Sequence, residues 1–301
     1  MRESLGNRRA RSAVAGMLLC IGCAAPVGAA TWYVAAGGSD VAAGTNWVSA
    51  KATPQAALDL ALAGDTVLVS NGTYAAGGRV AFGVTTNRIA IPAGVTVRSV
   101  NGPGQTLIVG NVASGSGGGA AVRCAYLGTN AVLAGFTLTN GHTVSASSDL
   151  IERNGGAAWC EPGAVISNCI LTGSSARNGG AGFRGSYFDC VLAGNSASLD
   201  GGCVSSGTLF GCTLAGNAAG RYAGAALAGA LSQCVVSGNS AYLDGGGAQG
   251  CALFACTLSS NTAGARGGGM MSCTAVTCPV RSNSSVSNGD GAAFCDLENC
   301  W

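Results

Sequence analysis

Between Cys190 and the C-terminus the sequence repeats every 22 residues. Cys190, Cys212, Cys234, Cys256, Cys278 and Cys300 keep that spacing, and so do Asn195, Asn217, Asn239, Asn261 and Asn283. A fixed period of this length, with no helical pattern inside it, means that each repeat stacks on the one before, because so short a unit cannot bury a core alone. Phe210, Cys212 and Leu214 alternate, which assigns them to one face of a short strand. The columns above and below agree: Phe188, Phe210, Ser232, Phe254 and Val276 form one, and Leu192, Leu214, Val236, Leu258 and Val280 another. Ala197, Ala219, Ala241 and Ala263 follow the Asn column. Glycine pairs at Gly201-Gly202, Gly245-Gly246 and Gly267-Gly268 then open a second strand.

Two or three short strands per repeat cannot pair with one another, so they must pair in parallel with the next repeat. The fold class expected is all-β, a right-handed parallel β-helix. A leucine-rich repeat has a similar period, but it needs a Leu-rich consensus and a helical stretch that these repeats lack. A propeller blade is about twice as long.

Composition fits close backbone stacking. The chain has 51 Gly in 301 residues and only 9% charged residues, and 48% apolar content is enough for a substantial core. Residues 1–30 read as a secretory signal: Arg2, Arg8, Arg9 and Arg11, then the apolar run Ala13 to Ala25, then Gly28-Ala29-Ala30. Cys23 after Gly22 opens a lipoprotein alternative, against which stands Cys20 where Leu is usual. The leader carries four Arg and Glu3, so the formal charge of +2 becomes about −1 without it. That balance offers no basis for binding nucleic acid or anionic lipid. No transmembrane segment is expected in the mature chain, and the expected location is exported, extracellular or on an outer-membrane surface.

An exported chain normally uses cysteine for disulfides. Cysteines one coil apart would lie about 4.8 Å from one another, the strand spacing. Their side chains would point the same way with Cβ atoms too far apart for good disulfide geometry. A ladder of buried thiols acting as small hydrophobes is therefore expected, with paired disulfides as the alternative. The Asn column is expected at sharp corners, where Asn tolerates left-handed backbone and stacked amides bond coil to coil.

Upstream, Thr53 caps a helix that Pro54 begins and that runs through Leu62, expected to cover the open end of the solenoid. The organisation expected is a signal peptide at 1–30, a cap with irregular coils at 31–140, a loop insertion at 141–161, and regular coils at 162–301. Cys300 arrives on schedule and the chain stops in mid-strand, so a truncated solenoid is expected.

Two resemblances follow from these residues. Leu192-Ala193-Gly194-Asn195-Ser196-Ala197 leading into Gly201-Gly202, and Val236-Ser237-Gly238-Asn239-Ser240-Ala241 leading into Gly245-Gly246, resemble the chlamydial polymorphic outer-membrane protein repeat. Leu or Val stands here where that repeat has Phe. Trp32-Tyr33-Val34, the helix, Gly64-Asp65-Thr66-Val67 and Asn71-Gly72-Thr73-Tyr74 resemble the capping region of pectate-lyase-like β-helix proteins of bacterial surfaces. Together they cover most of 31–300. They imply the β-helix and export. The fold hosts lyases, hydrolases and adhesins, so activity must be read from a site.

Pectate lyases hold calcium with clustered carboxylates beside an Arg base, and polygalacturonases pair Asp residues. Asp200 and Asp244 share a column but stand two coils apart, roughly 9–10 Å, with Tyr222 between them and Arg266 next. They are candidate catalytic residues against a reading as a solvated row with an Asp244–Arg266 pair. His142, the one histidine, lies in Gly141-His142-Thr143, which echoes the Gly-His-Gly of polygalacturonases without the paired Asp motifs. The loop insertion gathers His142, Asp149, Glu152, Arg153 and Glu161, the first candidate for a binding site. The function expected is a non-catalytic surface or secreted module for adhesion or glycan binding, its partner a polysaccharide or surface glycan. The alternative is a polysaccharide lyase or glycoside hydrolase, and calcium enters only with a lyase. No metal site or cofactor is otherwise expected. The oligomeric state is not legible.

Overall fold

Three-residue strands with one inward side chain and tight corners between them are what the repeat encodes. In the computed structural model, which describes residues 28–112, 121–144 and 152–301, they wind into a right-handed parallel β-helix. Residues 1–27 of the leader expected at 1–30, and Asp149, lie outside the described residues.

The first coils pass through three sheets, and those from Val165 on pass through four. Sheet one has 11 strands, from Thr31–Val34 to Asp296–Glu298, and sheet two has 9, from Gly72–Tyr74 to Val280–Arg281. Sheet three has 6, from Ser175–Asn178 to Ser284–Ser285, and sheet four has 10, from Arg79–Val80 to Ala292–Ala293. Pairing between coils is parallel; its step is 22 residues in the regular coils, as in Thr208↔Ala230, Leu209↔Leu231 and Phe210↔Ser232, but 33 at Val132↔Val165 and 21 at Val165↔Ser186. The exception is Arg79–Val80, antiparallel to Thr86–Ile91.

The core is a set of stacked columns. Tyr187, Leu209, Leu231, Leu253 and Ala275 point inward from sheet one, and Leu171, Leu192, Leu214, Val236 and Leu258 from sheet two. Each leucine contributes roughly 1.5–3 kcal/mol by burial. The Phe column expected beside Cys and Leu faces the other way. Phe188, Phe210 and Phe254 are exposed. A left-handed residue separates Phe210 from Cys212, Gly211 at φ +64, so the chain turns between them and alternation does not carry across the corner.

Corners also correct the Asn expectation. The left-handed residue is the one before each Asn: Gly194, Gly216, Gly238, Ser260 and Ser282, at φ 53–64. That frees the Asn side chain to turn inward. In each glycine pair the first member has positive φ, 63 at Gly201. A Cβ on the second, Gly202, would strike the backbone of the next coil.

The helix is shorter than expected, Pro54–Leu58, with Thr53 Oγ1 accepting from Ala56 N at 3.3 Å. It packs on the Thr31–Val34, Thr66–Val69 and Thr86–Ile91 strands at the N-terminal end. Asp65 fastens this end, accepting from Leu62 N, Trp32 Nε1 and Ala30 N at 2.9, 3.0 and 2.7 Å. Those bonds hold its carboxyl below the ordinary value of 3.8. Among the described residues no helix is long and apolar enough to cross a membrane.

Candidate functional site

The described residues of the segment at 141–161, which are 141–144 and 152–161, are more tightly built than a solvated loop. Ala158–Cys160 within it is a strand of sheet four, paired with Val122–Leu127 and with Gly182–Phe183. Arg123, fully buried, ties the returning chain down. Its Nε donates to Gly155 O, Nη1 to Asn87 Oδ1, and Nη2 to Glu152 O and Asn154 O, at 2.8–3.0 Å. Burial lowers its pKa to about 10, and the Glu152 charge opposes that shift. Glu152 is 1% exposed and its carboxylate accepts from Val84 N and Thr85 N. It is a structural anchor that solvent barely reaches, which corrects its expected place in a binding surface. Glu161 sits apart, just past the sheet-four strand Ala158–Cys160, accepting from Tyr126 Oη at 3.0 Å and Trp159 Nε1 at 3.4 Å.

His142 and Arg153 come together in a cleft of about 190 Å3, lined also by Thr143, Ser175, Arg177 and Ser198. His142 Nδ1 donates to Asn140 O at 3.2 Å and Thr143 Oγ1 to Arg153 O at 3.0 Å. Arg177 was missed in the sequence. It lies one coil beyond Arg153, with its N–H bonded to Arg153 O at 2.8 Å. The 22-residue period did not signal it, because Arg177 follows Arg153, and Asn178 follows Asn154, by 24 residues.

Asp200 and Asp244 do not form a pair with each other. Arg221 clamps Asp200, Nε to Oδ1 at 2.9 Å and Nη2 to Oδ2 at 2.5 Å, and Tyr222 N adds a bond at 3.2 Å. Arg266 clamps Asp244 at 3.2 and 3.0 Å, with its own N–H at 3.1 Å. Each carboxylate is thus committed to the next coil's guanidinium, a bidentate geometry that fixes its orientation. A proton donor and a water activator need freer groups. Among the described residues no three His, Cys, Asp or Glu side chains converge as metal ligands.

The two ladders are structural. Asn195, Asn217, Asn239 and Asn261 each donate Nδ2 to the Oδ1 of the Asn one coil on, ending at Asn283, at 2.9–3.1 Å. Each Oδ1 also receives the backbone N–H of the preceding Asn. The cysteines turn inward after their own corner: Cys190, Cys212, Cys234, Cys256 and Cys278 donate Sγ–H to the carbonyl two residues earlier at 3.2–3.4 Å. All 13 cysteines among the described residues are free thiols, and 11 are buried. The neighbouring thiol one coil back, followed by burial, pushes Cys212 up to about 12, so it is inert at neutral pH.

One further surface was not legible from alternation. The outer face of sheet one presents Phe188, Phe210 and Phe254 at 40, 42 and 54% exposure. They edge a groove of about 450 Å3 with Thr208, Ala230, Ser232, Ala252 and Thr274. Phe188 and Phe210 are in adjacent coils, their centroids 6.5 Å apart. Ser232 interrupts the row, so Phe210 and Phe254 flank a gap two coils wide, about 9–10 Å, floored by small side chains.

No protein family's sequence profile and no curated protein matches the chain. Solved structures do match. A rhamnogalacturonan lyase superposes with a TM-score of 0.56 at 14% identity, covering 90% of this chain and 87% of its own. Pectate lyase Pel9A superposes with a TM-score of 0.56 at 13% identity, covering 91% and 80%. These likenesses show the fold, the right-handed parallel β-helix that carbohydrate-active enzymes share.

Proposed function

We propose that this chain is a non-catalytic glycan-binding module, exported and displayed at a cell surface or secreted. The observation that carries the reading is the row of Phe188, Phe210 and Phe254 across a groove of small residues. Exposed rings on a rigid sheet lose little entropy on binding, and their faces suit the apolar C–H faces of sugar rings. The gap over Ser232 would admit one ring between Phe210 and Phe254. Backbone-held strands preorganise this spacing better than a loop would.

Export rests on the signal-like residues 1–30. Surface display draws support from the resemblance of the repeats to the chlamydial polymorphic outer-membrane protein repeat. The lyase or hydrolase alternative shares the fold of the two lyases, but Asp200 and Asp244 are each held by an arginine. Binding to an oligosaccharide panel, by calorimetry, tests the reading. Phe210→Ser and Phe254→Ser are expected to weaken the best ligand at least tenfold, about 1.4 kcal/mol, with the thermal midpoint unchanged. Absence of any ligand, or cleavage of one that Asp200→Ala abolishes, would overturn it.

A further inference from the structure

The corner row between sheets three and four holds several arginines, and they are not treated alike. Arg221 and Arg266 each have an aspartate in the preceding coil, Asp200 and Asp244. Arg177 has the same kind of position, following its preceding coil's Arg153-Asn154 as Arg221 follows Leu199-Asp200. The residue where its carboxylate would stand is Asn154, a neutral amide whose Oδ1 already accepts from Asn178 Nδ2 at 3.0 Å. Among the described residues, neither Arg153 nor Arg177 has a carboxylate partner. The Arg153 Nε is buried with no hydrogen-bond partner.

Two guanidinium groups on adjacent rungs repel unless something negative lies between them. Here they line one cleft with His142, and the Thr143, Ser175 and Ser198 side chains add hydroxyls. At about 190 Å3 the cleft fits a single small group. Fixed planar donors match an oxyanion with two or more oxygens.

We propose that the His142–Arg153–Arg177 cleft is an anion site that seats one acidic substituent of a glycan, a carboxylate or a sulfate ester. The source of the oxyanion rests on the glycan reading above. The site itself rests on the missing aspartate at position 154. It lies at the corner of sheet three, apart from the Phe row on sheet one, so the two are separable by mutation.

The test uses the whole chain and three variants: Arg177→Gln, Asn154→Asp, and Phe210→Ser as the control. Asn154→Asp supplies the internal carboxylate that Asp200 gives Arg221. It is expected to keep or raise the thermal midpoint while closing the site to external anions. Inorganic sulfate should raise the midpoint of the wild type in a concentration-dependent way. It should have no such effect on Arg177→Gln or Asn154→Asp. Tetragalacturonate and a sulfated galactotetraose should each bind both variants at least tenfold more weakly. Neutral galactotetraose should bind them as it binds the wild type. Whether the carboxylate or the sulfate ester is preferred follows from the ratio of the two wild-type affinities. Acidic ligands that bind Arg177→Gln and Asn154→Asp within twofold of wild type would overturn the proposal. Sulfate protection lost in both variants, with no acidic glycan bound, would overturn the glycan as the source. Loss of neutral binding in Phe210→Ser alone would reflect only the groove on sheet one.

Discussion

At the scale of single residues, the solenoid depends on matched exceptions to its own columns. Tyr187 stands in a column of aliphatic residues, between Ile166 and Leu209, and it is fully buried. Room for its hydroxyl comes from Gly182, where the sheet-four column has Val204, Ala226 and Ala248. A Cβ added at Gly182 would overlap that hydroxyl. Ala is normally preferred over Gly within a strand by about 0.5–1 kcal/mol, but the clash with a rigid ring decides the sign here. Gly182→Ala is expected to destabilise by about 1–3 kcal/mol in urea unfolding. Adding Tyr187→Leu should recover most of that loss. If Gly182→Ala is neutral, the coils have more slack than close packing allows. Such pairings were not legible in the sequence, because columns predict what repeats and not which deviations compensate. The same limit hid the exposure of Phe210. Alternation put it with Cys212 and Leu214, but the left-handed corner at Gly211 breaks that parity. The stacking of Arg177 on Arg153 was hidden as well, because that step is 24 residues and the 22-residue period would have placed Ser175 there.

At the scale of an element, the Asn ladder is the part the sequence displayed most openly, since identical residues at a fixed period can satisfy one another. The expected amide bonding between coils is present, and what the sequence misassigned is the corner geometry. The left-handed backbone falls on the preceding residue, and the Asn serves by its amide. An interior rung has more to lose than the last one. Asn239 accepts from Asn217 N and Nδ2 and donates to Leu214 O and Asn261 Oδ1. Asn283 accepts from Asn261 N and Nδ2 but donates only to Leu258 O. Asn239→Ala leaves several buried groups unpaired, each costing about 1–3 kcal/mol, and it lies mid-ladder in a closed stack. A loss of about 3–5 kcal/mol in total is expected from it, and a smaller one from Asn283→Ala at the open end. Equal losses at the two positions would mean that the bonds between amides add nothing beyond each Asn's bond to its own coil. The measurement is the shift of the urea midpoint at unchanged slope.

At the scale of the molecule, in-register pairing makes the coil the unit of both stability and surface. Each coil touches the one before and the one after, so stability should add as coils plus interfaces. Deleting residues 234–255 removes one period and joins Gln233 to Cys256. Every column then closes on its own kind: Asn217 meets Asn261, Leu214 meets Leu258, and Cys212 meets Cys256. The shortened chain is expected to keep a β-sheet circular dichroism spectrum and one cooperative transition. Its midpoint should be lower, and its denaturant slope smaller in proportion to the surface removed. Deleting 234–244 removes half a period, sends each later inward residue to the wrong sheet, and should abolish folding. The full-coil deletion also discards Phe254, leaving Phe210 and Ser232 without the far wall of the groove. Its neutral glycan binding should therefore fall as far as that of Phe254→Ser. The cleft of His142, Arg153 and Arg177 lies several coils away and should keep its response to sulfate. Failure of both deletions alike would show that the solenoid folds as one indivisible unit, and the separation of the two surfaces by coil would fall with it.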